Sequence, residues 1–289
     1  MQISEPKKPQ VVRTVTEVRA LVRAARREGR RIGFVPTMGA LHEGHLSLVR
    51  AAKEAANFTV VSIFVNPTQF GPQEDFAQYP RTLEADLQLL AAYSVDAVFA
   101  PSEQEMYPAG FDSWVEVGAI AAPLEGRCRP GHFRGVATVV LKLFNIVQPD
   151  IAWFGQKDYQ QALVIQRMVA DLNVPVEIRV CPTVREPDGL AMSSRNRYLG
   201  PDSRQKATIL WQALCKAKQL VAAGEKDTAV LAAQLRSMIA AVPGAQIDYV
   251  AFVNPQTLAP VRRVDRPVLV ALAVRIDGTR LIDNELITP

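Results

Sequence analysis

Two hydrophobic periods take turns along this chain. Val18, Leu21, Val22 and Ala25 recur at helical spacing within residues 16–28, and Gly29 closes the run. The next apolar stretch, over residues 31–35, is short and continuous, and Pro36 is expected to end it because proline cannot donate to a central ladder. The same reading predicts helices over residues 44–56, 82–93, 135–147 and 159–172. It predicts strands over residues 58–65, 96–100, 114–117, 151–154 and 176–181. Helices and strands in alternation imply a parallel sheet covered on both faces. After about residue 183 the order changes: helices over 203–223 and 228–241 precede three strands near 246–253, 268–274 and 279–285. The expected fold class is α/β, with a Rossmann-like parallel sheet in an N-terminal domain, residues 1–183, and a smaller α+β C-terminal domain, residues 184–289.

Composition narrows this picture. A 289-residue chain that is 48% hydrophobic can bury one large core or two smaller ones. The net charge of +4 permits an anionic partner without specifying one. The basic run from Arg23 to Arg31 falls on the outward face of the first predicted helix and reads as solvated. Nothing alternates basic with aromatic residues or matches a zinc finger, so nucleic acid is not an expected partner. The apolar stretches at 58–65, 136–147 and 267–274 are too short to span a membrane or, at Lys142, are broken by charge. The first nine residues lack the apolar segment of a secretory signal and are expected to form a disordered tail. Cys128, Cys181 and Cys215 are odd in number and form no C-x-x-C pair, which fits a reducing cytoplasm.

Candidate chemistry gathers after the predicted strands. Two of the three histidines, His42 and His45, lie at the start of the second predicted helix, three residues apart and on one face. Gly44 between them removes a side chain where a charged ligand would approach the backbone, and a helix N-terminus offers free N–H groups to phosphate. Capping of the helix and a zinc site completed by His132 are the competing readings. Further polar clusters follow other strands: Asn66-Pro67-Thr68-Gln69-Phe70, Gly155-Gln156-Lys157-Asp158 and Pro182-Thr183-Val184-Arg185-Glu186. Ligands of open parallel sheets bind at these carboxyl ends. Lys157 and Asp158 begin a helix that carries Gln161 one turn on. Met192-Ser193-Ser194-Arg195-Asn196-Arg197 adds hydroxyls and guanidiniums suited to phosphate.

Taken in order, these segments resemble the pantothenate synthetase family, the pantoate–β-alanine ligases of coenzyme A biosynthesis, from about Val11 onward. The resemblance includes the run from Pro36 to His45, Phe64 to Phe70, Tyr79-Pro80-Arg81-Thr82, Arg129-Pro130-Gly131-His132-Phe133, Gly155 to Gln161, Pro182 to Glu186 and Met192 to Asn196. It departs at Gln156, where the family commonly has Glu. The resemblance implies that pantoate and ATP form a pantoyl adenylate and pyrophosphate, after which β-alanine displaces AMP. It assigns Met38, Gly39, Ala40, Leu41, His42, Glu43, Gly44 and His45 to ATP, with His45 the proton donor and His42 on the phosphates. Gly155, Gln156, Lys157 and Asp158 resemble the second ATP segment, and Val184, Met192, Ser193, Ser194 and Arg195 complete the nucleotide site that the resemblance implies. Gln69 and Gln161 would hold pantoate, Asp86 would organise Mg²⁺, and the protein would be a cytoplasmic homodimer. The family is related in fold to other nucleotidylyltransferases, and a generic enzyme of that class is the alternative.

Overall fold

The computed structural model describes residues 8–72 and 74–289, so the tail expected at the N-terminus lies outside the described residues up to position 7. In chain order the elements are β1 (Gln10–Val12), α1 (Val15–Arg27), β2 (Ile32–Thr37), α2 (Glu43–Ala55), β3 (Phe58–Ile63), α3 (Leu83–Ala91) and β4 (Ala97–Phe99). Then come the short helices α4 (Glu103–Met106) and α5 (Glu125–Cys128), followed by α6 (His132–Val147), β5 (Ile151–Gly155), α7 (Tyr159–Asp171) and β6 (Glu177–Cys181). The remainder holds α8 (Pro201–Ala207), α9 (Ile209–Ala222), α10 (Thr228–Ala240), β7 (Ala245–Val253), β8 (Val268–Ile276) and β9 (Thr279–Ile287).

Two compact units result. The first runs to Ala121 and includes Arg129–Gln156 and Gln161–Pro182; the second comprises Ala122–Cys128, Lys157–Gln160 and Thr183–Pro289. The first is built on a six-stranded parallel sheet of order β1-β4-β3-β2-β5-β6. Successive strand residues face opposite layers, so Phe34 and Val60 pack with α1 and α6, while Val35, Val61 and Trp153 pack with α2. Strand order reverses between β2 and β5, the switch point at which ligands of such sheets bind.

The reversal explains a correction to the sequence reading. Strand β2 does not stop at Val35 but continues through Pro36, which lies opposite Ser62 of β3. The Ile32 carbonyl accepts from Asp150 on the β5 side, and the Thr37 carbonyl accepts from Phe64 on the β3 side. By alternation, Pro36 turns its missing N–H toward β5. Pairing there has already ended, at Phe34 opposite Ala152, so no ladder bond is lost. The two strands therefore part just below the loops that follow them.

Other differences are local. The strand expected over residues 114–117 is absent; the Val115 N–H instead donates to Thr138 Oγ1 at 3.0 Å, and the Arg134 guanidinium lies over the Trp114 ring. Strand β1 is too short to have left a periodic signal and adds three residues beside β4. The helix expected over residues 203–223 breaks at Thr208 into α8 and α9.

In the second unit, β7, β8 and β9 form an antiparallel meander with α9 and α10 packed on it. Its two excursions from earlier in the chain are fastened by polar groups. Arg280 makes two hydrogen bonds of 2.7 Å to Glu125 and one of 2.6 Å to Asp248, and the Tyr249 hydroxyl donates to Glu125 at 2.9 Å. Burial first, and then the Glu125 charge, hold the Tyr249 phenol well above its ordinary value, so it remains a donor. Gln160 in turn accepts from the Glu125 N–H and donates to the Pro123 carbonyl.

Candidate active site

The loop after β2 turns sharply. Gly39 has φ +81° and Ala40 φ +50°, a left-handed pair that costs a non-glycine residue strain. The cost is offset by Asp86 on α3, whose buried carboxylate accepts the N–H groups of Ala40 at 3.0 Å and Leu41 at 2.8 Å and the Thr82 hydroxyl at 3.3 Å. Two adjacent amides bonded to one carboxylate fix the direction in which the chain enters α2. Asp86 is the residue that the resemblance links to Mg²⁺, and here both of its oxygens are directed into the loop.

His42 caps α2. Its Nδ1 accepts the Gly44 N–H at 3.2 Å, so the neutral ring carries its proton on Nε2. His45 is one turn on, its ring centroid 4.1 Å from that of His42, and both are half-buried. Of the readings the sequence left open for His42, the structure shows capping of the helix. Glu43 is ion-paired with Arg50 on the same helix.

After β3 the chain forms a single 3₁₀ turn, Pro67–Gln69, capped by Asn66. The Asn66 amide is 1% exposed, and its orientation is unambiguous: Oδ1 accepts from the Thr68 N–H and the Tyr107 hydroxyl, while Nδ2 donates to the Gly135 carbonyl and to Gln69 Oε1. Gln69 Nε2 points to Met38 Sδ at 3.0 Å. Loop and turn thus meet through one amide, and Asn66, quoted only as part of a motif, proves to organise it. Helix α6 lies against this turn closely enough that a Cβ on Gly135 would stand 2.3 Å from the Thr68 carbonyl oxygen and 2.7 Å from the Gln69 nitrogen. Gly135→Ala is therefore expected to destabilise the protein by about 1–3 kcal/mol through overpacking. Urea titration checks this, and an unchanged midpoint would refute the contact.

His132 does not join the other two histidines. Its Nδ1 lies 2.8 Å from the Gln69 carbonyl and its Nε2 lies 3.0 Å from Arg129. Among the described residues no cluster of three or more His, Cys, Asp or Glu side chains is arranged for a metal ion. The three-histidine zinc site considered from sequence thus has no ligand set.

The segments of the second unit that the resemblance assigns to the nucleotide are organised by β9. Asp283, 2% exposed, takes a two-pronged ion pair from Arg185 at 2.6 and 2.9 Å, and the Arg185 guanidinium stacks on Trp211 at 3.9 Å. The adjacent Asn284 donates through Nδ2 to the Lys157 carbonyl at 2.9 Å. Two neighbouring residues of one strand thereby hold both Lys157 and the loop bearing Val184. That loop closes through Met192 N–H to the Val184 carbonyl at 3.0 Å, and Ser193 caps the turn that carries Ser194 and Arg195. Lys157 is half-buried and Asp158 exposed at the start of α7, with half-buried Gln161 in the first unit's portion of that helix. Sequence reasoning missed Asp283 and Asn284, which lie in a run, Thr279–Ile287, whose apolar and polar residues come in blocks rather than in alternation.

A model of the pantoate–β-alanine ligase family matches residues 10–286. The pantothenate synthetase of Moorella thermoacetica is 58% identical over 275 residues, covering 95% of this chain and 97% of the relative. The crystal structure of pantothenate synthetase from Thermus thermophilus superposes with a TM-score of 0.92 at 48% identity, covering 97% of this chain and all of that one. The pantoate–β-alanine ligase of Francisella tularensis, described in complex with β,γ-ATP and β-alanine, gives 0.80 at 37% identity over 96% of this chain and 97% of its own. On the extent of these matches and the fold that carries them, the chain belongs to the pantoate–β-alanine ligase family.

Proposed function

We propose that this protein joins pantoate to β-alanine through a pantoyl adenylate, with the loop and helix start from Met38 to His45 handling the ATP phosphates. The observation that carries the reading is the pair of adjacent imidazoles at the N-terminus of α2, 4.1 Å apart and inclined at 48° to each other, beside a loop whose amides Asp86 holds.

A carboxylate is a poor acyl electrophile because it cannot expel oxide. Attack of a pantoate carboxylate oxygen on the α-phosphorus forms the mixed anhydride and releases pyrophosphate. The β-alanine amine then attacks the acyl carbon, and AMP leaves as the amide forms. Both steps concentrate negative charge on phosphate oxygens, which fixed donors and cations stabilise most when they are oriented beforehand. His42 has Nδ1 tied to its own helix, which leaves Nε2–H as its donor, and His45 acts as the proton donor beside it. Lys157 supplies the charge on phosphate and Asp158 meets the ribose. Gly155, Gln156, Val184, Met192, Ser193, Ser194 and Arg195 complete the nucleotide contacts. Gln69 and Gln161 take the pantoate oxygens.

Mg²⁺ fits this reading as a companion of the triphosphate. It takes few protein ligands and keeps phosphate and water oxygens, and the engaged carboxylate of Asp86 favours a role in loop geometry. Homodimeric assembly and a cytoplasmic location accompany the resemblance. No helix among the described residues is long and apolar enough to cross a membrane.

The test is exchange of labelled pyrophosphate into ATP. It is expected with pantoate and Mg²⁺ before any amine is added, followed by net pantothenate formation when β-alanine is supplied. Exchange that required β-alanine would exclude a stepwise adenylate, and exchange without amide formation would favour the generic nucleotidylyltransferase.

A further inference from the structure

His132 opens α6, Arg129 lies in the turn just before it, and both reach back to the 3₁₀ turn that bears Gln69. A backbone carbonyl can only accept, so the Gln69 oxygen at 2.8 Å requires the proton on His132 Nδ1. A guanidinium can only donate, so Arg129 at 3.0 Å requires a lone pair on His132 Nε2. One tautomer satisfies both. Arg129 is fixed in its turn by a two-pronged pair with Glu74 at 2.7 and 2.6 Å, and its Nη2 also approaches the Gln69 carbonyl at 3.4 Å. Burial alone would raise the Glu74 carboxyl, but its bonds and charge interaction with Arg129 outweigh this and hold it below its ordinary value, so it stays anionic at neutral pH. His132 is 9% exposed and packs on Phe133.

We infer that His132 is a positioning residue for substrate selection: its Nδ1–H, oriented by the Glu74–Arg129 pair, fixes the backbone of Gln69 so that the Gln69 amide presents itself to pantoate. This rests on the assignment of Gln69 to pantoate above. The other face of the Gln69 side chain is set by Asn66 and Met38, so the amide is held through its backbone from one side and its head from the other.

The experiment compares His132→Ala, His132→Asn and His132→Gln in the wild-type and Gln69→Ala backgrounds. Asn carries a donor near the position of Nδ1, whereas Gln carries it near Nε2, where Arg129 stands. His132→Ala and His132→Gln are expected to raise the pantoate KM in pyrophosphate exchange about tenfold, the scale of one hydrogen bond, with the ATP KM changed less than twofold. His132→Asn is expected to recover most of the loss. In the Gln69→Ala background, His132→Ala should add less than about a twofold effect. Full multiplication of the two effects, an equal rise in the ATP KM, or an Asn variant no better than Gln would overturn the inference. Nitrogen-15 resonance of the imidazole supplies a readout that needs no substrate: a protonated Nδ1 and bare Nε2 are expected, and the reverse tautomer refutes the arrangement. Absence of pantoate-dependent exchange in the wild type would count against the functional reading instead.

Discussion

Lys157→Ala is expected to lower pantoate-dependent pyrophosphate exchange by about two orders of magnitude or more, the scale of removing one group that stabilises developing charge, while the urea midpoint stays near that of wild type. The separation follows from how the residue is held. What ties Lys157 into the second unit is its backbone carbonyl, which accepts from Asn284, and alanine keeps that carbonyl. Its ammonium contributes only a minor pull on the nearby Asp283 carboxyl, well behind burial and Arg185. The charge is therefore available for a ligand, and its loss should fall on chemistry. Turnover unchanged within about twofold would return Lys157 to an ordinary solvated loop residue; a collapsed midpoint would mean that the side chain has a structural role which the hydrogen bonds do not reveal.

The contrast between Lys157 and its support also marks what could be read from sequence. His42, His45, Lys157 and Gln161 sit at the starts of helices whose apolar spacing is local, so their neighbourhoods were legible within a dozen residues. The family motifs then supplied roles that spacing alone could not. The supports were illegible for a physical reason: Arg185 and Asp283 are 98 residues apart, Lys157 and Asn284 are 127 apart, and His132 and Gln69 are 63 apart. A hydrogen bond across such distances leaves no periodic trace. Pro36 misled for the opposite reason, because a sound local rule was applied without knowing which neighbour its missing donor faces. The run at 114–117 failed because alternation alone does not provide a partner strand, and its amide went to Thr138 instead.

Asp283→Ala is expected to cost about 3–5 kcal/mol of stability, the range for breaking a buried pair and stranding its partner. Arg185 would keep its stacking on Trp211 but lose the two shortest of its hydrogen bonds, with Glu285 3.7 Å away as the remaining anion. The pair is not a net source of stability by the usual Coulomb argument. Burial, ahead of the opposing pull of Arg185, sets the Asp283 carboxyl above its ordinary value, so desolvation exceeds what the guanidinium returns. The sign of the pH effect follows: between the ordinary value and the raised one, the folded protein binds more protons than the unfolded chain, and this residue's contribution declines as pH rises through that window. It also follows that removing both charges should be milder than removing one. Arg185→Met combined with Asp283→Leu is expected to recover more than half of the loss caused by Asp283→Ala, as read by urea titration with far-ultraviolet circular dichroism. Pyrophosphate exchange should remain impaired in the double variant, because the loop from Val184 to Met192 loses its polar fastening even where the core is refilled. A double variant less stable than Asp283→Ala alone would mean that the pair outweighs its desolvation and that β9 carries it for stability first.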